Sequence, residues 1–383
     1  MTAGPRQPPQ VVQISFFSDP AGRAPTQLLQ AWPTMMDIAE AAGSAGIRVS
    51  VVQASVHTEH LVRRGVNYHF LPFGEGQRVV RGNGALGELL RAIQPDLFHV
   101  HGLGFPRDVL ALATLAPQTP IILQDHANRI PRFWRRPVWR RAMSLADGIT
   151  FCALDQARPF AEAGMVRPDT RVYEIPESTS RFSPGDQREA RRLTGVHGDP
   201  AILWVGHLNA NKDPLTVLDG ISAAITGLPG LQLYCCFGRA PLMREVRSRI
   251  AADPRLHDRV HLMGEVAHDE IERLMQAADL FVLGSHREGS GYSLIEALAC
   301  GLPPIVTDIP SFRSLTADGA VGGLWPCGDA RALRDRLLEV RIDAGTRANV
   351  REHFDRSLSF DSVGLKLAAM YSDVLDRPRR AVA

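Results

Sequence analysis

Short apolar runs of strand character alternate with longer helical patterns over the whole chain, and this alternation constrains the fold more than any other feature. The runs fall in two sets: 11–17, 48–53, 97–100, 121–124, 148–151 and 172–175, then 201–205, 231–237, 260–263, 280–283 and 304–307. Strands separated by helical stretches are joined by crossovers, and crossovers make parallel sheets with helices on both faces. The stretch 177–186 carries Ser, Thr, Gly and Pro without periodicity and reads as a linker between the sets. The expected fold class is therefore α/β: two doubly wound parallel-sheet domains, 1–180 and 181–359, with a helix at about 360–378 packing back on the first. Ligands of such sheets sit beyond the carboxyl ends of the strands, so two sheets facing each other would place the site in the cleft between them.

A length of 383 residues suits two domains of ordinary size, each with a full core. With 45% hydrophobic residues, 22% charged residues and a formal net charge of +2, the chain reads as globular, and a general nucleic-acid-binding surface is not indicated. No apolar run reaches the roughly 18 residues of a membrane helix. Residues 1–10 carry Pro and Gln where a signal peptide needs an apolar core, so the expected location is the cytoplasm. Cys152, Cys235, Cys236, Cys300 and Cys327 include no Cys-x-x-Cys pair and read as buried, reduced thiols.

The segment richest in chemistry is Ser285-His-Arg-Glu288-Gly289-Ser290-Gly291-Tyr292-Ser293-Leu-Ile-Glu296-Ala-Leu-Ala-Cys-Gly301, which begins where the run 280–283 ends. Gly289 and Gly291 permit a tight turn and close backbone approach, and a helix starting there presents N–H groups and a positive dipole end to a phosphate. Glu288 precedes that helix and Glu296 lies about one turn inside it, so two carboxylates suited to sugar hydroxyls flank one anion site. Past the run 201–205 comes Val205-Gly-His207-Leu-Asn-Ala-Asn-Lys212-Asp-Pro, where Lys212 is placed to meet the charge of a departing diphosphate.

At these residues the chain resembles the retaining glycosyltransferases of family 4, whose GT-B fold has two Rossmann-like doubly wound domains with a cleft between them. The family's glutamates with seven residues between them match Glu288 and Glu296, within Glu-Gly-x-Gly and Glu-Ala-x-Ala-Cys-Gly-x-Pro. Ile175-Pro176 with Arg181-Phe182-x-Pro184 resembles the interdomain stretch, Ala278-Asp279-Leu-Phe-Val the strand before the glutamate motif, and Gly322-Gly-Leu-x-Pro-x-Gly-Asp329 the segment after it. The resemblance implies metal-independent transfer of a sugar from a UDP- or GDP-sugar to a glycan, lipid-linked or small-molecule acceptor, with no cofactor besides that nucleotide-sugar donor. It also implies roles. Glu288 would contact the transferred sugar, Glu296 the ribose, Lys212 and His207 the diphosphate, and the backbone at Glu265 and Val266 the base. The turn Gly289, Ser290, Gly291, Tyr292 and Ser293 would complete the donor site. His126, which follows Gln124-Asp125 at a strand end, would lie near the reacting carbon, so that His126, Lys212 and Glu288 form the catalytic set.

Two features depart from the family. His207 stands where the family has Arg, exchanging a permanent fork of donors for a group with an ordinary pKa of about 6.5. The loop 18–23 has one glycine where the family tends to have two. Blander readings also exist. Ser293-x-x-Glu296 fits a capping box, which would make Glu296 a helix terminator. His99 and His101 share a strand face, but strand histidines usually find hydrogen-bond partners; with no Asp-x-Asp pair in the chain either, no metal is expected. Gly82-Asn-Gly84-Ala-Leu-Gly87 has dinucleotide-fingerprint spacing without a convincing strand before it, so it reads as a helix start.

The segment 129–141 packs six arginines and three aromatic rings after His126, among them Arg132, Trp134, Arg135, Arg136, Trp139 and Arg140. It reads either as a solvated basic helix face with its tryptophans in the core, or as a patch that meets an anionic membrane or an acidic acceptor. Two other functional classes stand beside the transferase: a catalytically silent sugar-nucleotide or glycan-binding scaffold, and an inverting transferase or epimerase using Asp125 or His126 as base.

Overall fold

The computed structural model describes residues 7–73 and 84–377, which divide into two compact units. The first comprises the chain up to Thr179 together with the C-terminal segment from Phe360, and the second is Ser180–Ser359. The first unit holds β1 (Gln10–Ser15), β2 (Arg48–Ala54), β3 (Glu59–Arg63), β4 (Val66–Leu71), β5 (Leu97–His101), β6 (Ile121–Gln124), β7 (Gly148–Phe151) and β8 (Arg171–Glu174), in the order β3-β4-β2-β1-β5-β6-β7-β8. The second holds β9 (Ala201–Val205), β10 (Gln232–Cys236), β11 (Val260–Gly264), β12 (Leu280–Leu283), β13 (Pro304–Thr307) and β14 (Gly323–Trp325), in the order β11-β10-β9-β12-β13-β14.

Strands such as Ile121–Gln124 and Leu280–Leu283 are buried at every position, as parallel strands covered by helices on both faces must be. Alternate residues of β1 serve different clusters: Val12 and Ile14 join one with Phe98 and Trp139, while Val11 joins another with Tyr68 and Tyr371. Gln13 lies between them and is 0% exposed. The second unit has one large cluster around Trp204, Phe281, Phe312 and Trp325.

The expectation of purely parallel sheets needs correction at one edge. β3 pairs with β4 antiparallel, through a hairpin at Arg64 and Gly65 whose φ angles are 48° and 78°. Two consecutive left-handed residues match the twist of a tight hairpin. Neither β3, which is mostly exposed, nor β4, which alternates buried and half-buried positions, carries the continuous apolar run of strands such as β6 and β12. Four cysteines are buried, but Cys327 is exposed and donates to the Ser285 carbonyl at 3.7 Å, against the expectation of burial throughout. Of the glycine-rich fingerprint, residues 82 and 83 lie outside the described residues, and Gly84 caps the helix Ala85–Ile93.

Within the parallel part of each sheet, from β4 to β8 and from β11 to β14, the strand order reverses once. β1 lies between β2 and β5, and β9 between β10 and β12, so each sheet has a switch point where the flanking connections leave toward opposite faces.

The C-terminal helix Phe360–Leu375 packs in the first unit against the helix Pro33–Ser44, burying Val363, Leu367, Met370 and Tyr371. Their crossing is close enough that a Cβ on Gly364 would run into the Ala41 carbonyl. Gly364→Val should therefore destabilise the first unit by about 1–3 kcal/mol, the usual cost of overpacking. Calorimetric melting checks this, and an unchanged transition would contradict the close crossing.

Candidate functional site

The second unit's switch point gathers the loops that follow β9 and β12. They pack backbone against backbone: a Cβ on Gly284 would lie 3.0 Å from the Lys212 carbonyl oxygen and 3.1 Å from that of Asp213. Three hydrogen bonds clamp them further. His286 N donates to Asn211 O at 2.8 Å, Asn211 Nδ2 donates to Arg287 O at 2.9 Å, and the His286 ring meets Asp213 Oδ2 at 3.0 Å. Asn209 accepts from the Lys212 N–H through its side chain at 3.0 Å, and Asp213 caps the helix Pro214–Ala224. Across this junction Lys212 Nζ lies 2.5 Å from Glu288 Oε1, with the two side chains only 16% and 13% exposed. The sequence-selected pair thus forms one ion pair, shielded well enough to be worth more than a surface contact.

Beyond Glu288, Gly289 and Ser290 are half-buried and Gly291 adopts a left-handed conformation with φ 57°, forming the N-cap of the helix Tyr292–Ala299. No side chain caps that helix end, which is the arrangement that binds anions. The capping-box reading of Ser293 and Glu296 is excluded, because both lie inside the helix. Glu296 is instead buried, with its side chain 3% exposed, and its Oε1 lies 2.5 Å from His268 Nε2. Burial raises the Glu296 pKa and His268 opposes the rise. The His268 ring packs between Phe182 and Tyr292, with centroids 4.7 Å and 6.2 Å away. Glu265 is exposed and Val266 half-buried, just past Gly264 at the end of β11.

His207 is not the half-charged group its sequence position suggested. Its Nδ1 accepts the Arg239 N–H at 3.2 Å, which leaves the proton of the neutral ring on Nε2. Burial, Arg239 and Lys212 lower its pKa from 6.5, against Glu288, which raises it. Arg239 follows β10 and is exposed, and its charge is near enough to His207 to lower the ring's pKa.

In the first unit His126 stands past the end of β6, with 34% of its side chain exposed. Its Nδ1 pairs with Glu177, and its Nε2 lies 3.2 Å from His101 Nδ1. Burial lowers the His126 pKa, but Glu177 and Asp125 outweigh it and the net shift is upward. Asp125 is taken up by the turn it begins: its two oxygens accept the Asn128 and Ala127 N–H groups at 2.9 Å and 3.0 Å. Burial pushes its pKa to about 6 despite those bonds. His99, His101 and His126 do come together, and each makes a protein hydrogen bond or ion pair. Among the described residues no group of three or more potential ligands forms a metal site. In the 18–23 loop, Asp19 accepts the Ala21 and Arg23 N–H groups, and the single glycine, Gly22, takes φ 60°.

The basic segment divides between the two readings. Trp139 is 5% exposed within the core, so its place in a surface patch is corrected. Phe133 and Trp134 are 74% and 58% exposed and pack edge to face, and the Arg132 guanidinium sits 5.3 Å above the Trp134 ring. Arg135 and Arg140 are exposed; Arg140 donates to Ala163 O at 2.9 Å and Arg136 to Pro131 O at 3.3 Å. No helix among the described residues is long and apolar enough to cross a membrane.

Residues 33–177 match the description Glycosyltransferase Family 4, and residues 199–343 match Glycosyl transferases group 1. This chain is a family 4-like glycosyltransferase of the GT-B fold. The transferase is 25% identical over 303 residues to the GDP-mannose:cellobiosyl-diphosphopolyprenol alpha-mannosyltransferase of Xanthomonas campestris, covering 76% of each chain. It is 28% identical over 280 residues to the 2-deoxystreptamine N-acetyl-D-glucosaminyltransferase of Streptomyces fradiae, covering 68% of this chain and 66% of that one. Its fold superposes on sucrose-phosphate synthase from Thermosynechococcus elongatus with a TM-score of 0.71 at 19% identity, over 96% of this chain and 99% of the other. It also matches the Anabaena protein HepE solved with UDP, with a TM-score of 0.68 at 18% identity, over 95% and 100% of the two chains.

Sequence reasoning passed over Glu177, His268, Arg239 and the Asn211-Asp213-His286 clamp. Removing one member of the Lys212–Glu288 pair strands its partner's charge. Lys212→Met or Glu288→Met alone should therefore destabilise the second unit by about 1–3 kcal/mol, and the double variant by less than the sum, with a coupling of about 0.5–3 kcal/mol. Strict additivity in a double-mutant cycle would contradict the pairing.

Proposed function

We propose that this glycosyltransferase moves a sugar from a UDP- or GDP-sugar to a lipid-linked, glycan or small-molecule acceptor, retaining the anomeric configuration and using no metal ion. The observation that carries the reading is the meeting of Lys212, Glu288 and an uncapped helix end at one switch point. The diphosphate is met by Lys212, the helix end after Gly291 and the Nε2–H of His207, with Arg239 beside it. Glu288 takes the sugar hydroxyls, Glu296 the ribose, and the backbone of Glu265 and Val266 the base.

Both motif carboxylates are held by cations or rings, Glu288 by Lys212 and Glu296 by His268, which disfavours either as the nucleophile of a double displacement. Same-face attack fits better. The bond from the anomeric carbon to the leaving phosphate oxygen breaks, the acceptor oxygen bonds to that carbon, and the acceptor's proton passes to the leaving phosphate. The catalytic work is electrostatic, and Lys212 does most of it.

The acceptor side belongs to the first unit in this reading. Exposed Phe133 and Trp134 amid Arg132, Arg135 and Arg140 combine the ring chemistry of the headgroup region with attraction to anionic lipid, worth about 1 kcal/mol per basic residue. The Xanthomonas relative is named for a polyprenol-linked acceptor, which supports work at the cytoplasmic face of a membrane.

Lys212→Ala and Glu288→Ala should each lower turnover about ten- to a hundredfold with the fold intact; full activity in both would remove the donor-site assignment. NMR of the product should show the donor's anomeric configuration retained, whereas inversion would favour the base-catalysed alternative. Absence of both transfer and donor hydrolysis would favour the silent scaffold. Because the His207 pKa is lowered, its imidazolium forms at lower pH than that of an ordinary histidine. Donor affinity should therefore be flat through neutrality and rise on the acid side, and His207→Arg should remove that rise. Anionic vesicles at low salt should pellet the wild type, and Arg132, Arg135 and Arg140 to Gln with Trp134→Ala should abolish pelleting; unchanged pelleting would end the membrane reading.

A further inference from the structure

His126 ends a chain of buried polar groups that runs through the first sheet to the C-terminal helix. Its Nε2 faces His101 Nδ1 at 3.2 Å, and His101 Nε2 faces Gln13 Oε1 at 3.3 Å. Gln13 Nε2 then donates to Tyr371 Oη at 3.3 Å, and Tyr371 Oη lies 2.8 Å from His99 Nδ1. All four groups beyond His126 are buried, so water does not mend a mismatched donor or acceptor.

The direction of the bonds from Glu177 to Tyr371 follows from what each group can give. An amide oxygen only accepts, so the proton of His101 sits on Nε2. His101 is neutral, because burial and the neighbouring His99 and His126 hold its pKa well below 6.5. Its Nδ1 is therefore an acceptor, and the facing His126 Nε2 must donate. The Glu177 carboxylate also accepts, so His126 Nδ1 donates as well. Further along, the Tyr371 hydroxyl oxygen accepts from Gln13 and also meets His99 Nδ1 at 2.8 Å.

We infer that His101 is a positioning residue: together with Glu177 it engages both N–H groups of His126, fixing that ring as a cation with no nitrogen left to take a proton. His126 then presents positive charge to an electron-rich oxygen of a hydroxyl or phosphate, and in this state it does not act as a general base. The titratable groups facing it are Glu177, Asp125 on its own loop, and His99 and His101 from β5; the Cys152 thiol lies against Glu177 and Asp125, and burial with these carboxylates keeps it neutral. Because the carboxylates outweigh burial and raise the His126 pKa, the cation is present below that pKa and is lost as pH rises through it. Its loss forces His101 to donate through Nδ1 and Gln13 to turn its amide, which reverses the chain as far as Tyr371.

Imidazole NMR of the full-length protein with 15N-labelled histidine reads this directly, whether or not an acceptor is known. The His126 signals are identified by their loss in His126→Gln, or by their shift in Glu177→Gln should the first variant not fold. Both nitrogens should show imidazolium shifts on the acid side of a midpoint that lies above about 6.5. Glu177→Gln should lower that midpoint by about one to three pH units, and Tyr371→Phe, which keeps the ring, should leave His101 exchanging between tautomers. Where transfer is measurable, the rate should fall as pH rises through the midpoint, and this limb should move to lower pH in Glu177→Gln with the donor KM unchanged. A His126 that is already neutral with one bare nitrogen below about pH 6.5 in the wild type, or a rate that falls on the acid side of its midpoint, would overturn the assignment. Loss of the transferase reading alone would leave the NMR result standing.

Discussion

The reversal of strand order at β9 is the constraint on which the second unit's chemistry depends. β10 and β12 flank β9 on opposite sides, so the connections after β9 and β12 leave a crevice at the carboxyl edge of the sheet. Gly284 lets those two loops touch through their backbones, and only that approach brings Lys212 within reach of Glu288, 76 residues along the chain. The left-handed Gly291 then turns the chain into a helix whose amino end is uncapped. Any larger residue at Gly291 would be strained by its φ and would meet Phe312 and Leu315. Charge, loop and helix end are thus consequences of one topological fact.

A second theme is that the site's ionisable groups are already partnered within the protein. Lys212 has Glu288, Glu296 has His268, and His126 has Glu177. Partly buried charges are costly to leave single, so such pairs keep the site folded and oriented before a ligand arrives. A ligand that enters must offer each group at least what its partner offered. Under the proposed function a diphosphate would do so for Lys212 and a ribose diol for Glu296, whereas a neutral sugar would offer Lys212 a hydroxyl but no opposite charge, and this competition would favour a charged donor.

The sequence disclosed the parts of this arrangement that rest on local pattern. Near-continuous apolar runs marked Ile121–Gln124, Ala201–Val205, Leu280–Leu283 and Pro304–Thr307 to the residue, because parallel strands buried on both faces lack the alternating polar positions of half-exposed strands. The hairpin of β3 and β4 and the three-residue β14 carry no such run. Lys212, Glu288 and Glu296 were legible because their glycine-rich surroundings at strand ends carry a chemical meaning of their own. Glu177, His268 and Arg239 were not, since each acts through a contact made across many residues. Glu177 lay in a stretch read as linker; its Ile175-Pro176 neighbours were the one available signal, and His99-x-His101 was the corresponding hint of the polar chain. Trp139 and Trp134 differ only in which side of a short helical segment they occupy, five residues apart, and composition alone does not separate them.

The central claim is that the crevice at β9 and β12 binds a nucleoside diphosphate. Melting of the full-length protein against a panel of UDP, GDP, ADP and TDP tests it most directly, because a ligand at a hundred times its dissociation constant adds about 2.7 kcal/mol of stability. The account predicts that UDP or GDP raises the melting temperature of the wild type and that Lys212→Ala and Glu296→Ala each diminish the shift. No shift with any nucleotide, or an equal shift in both variants, would contradict it.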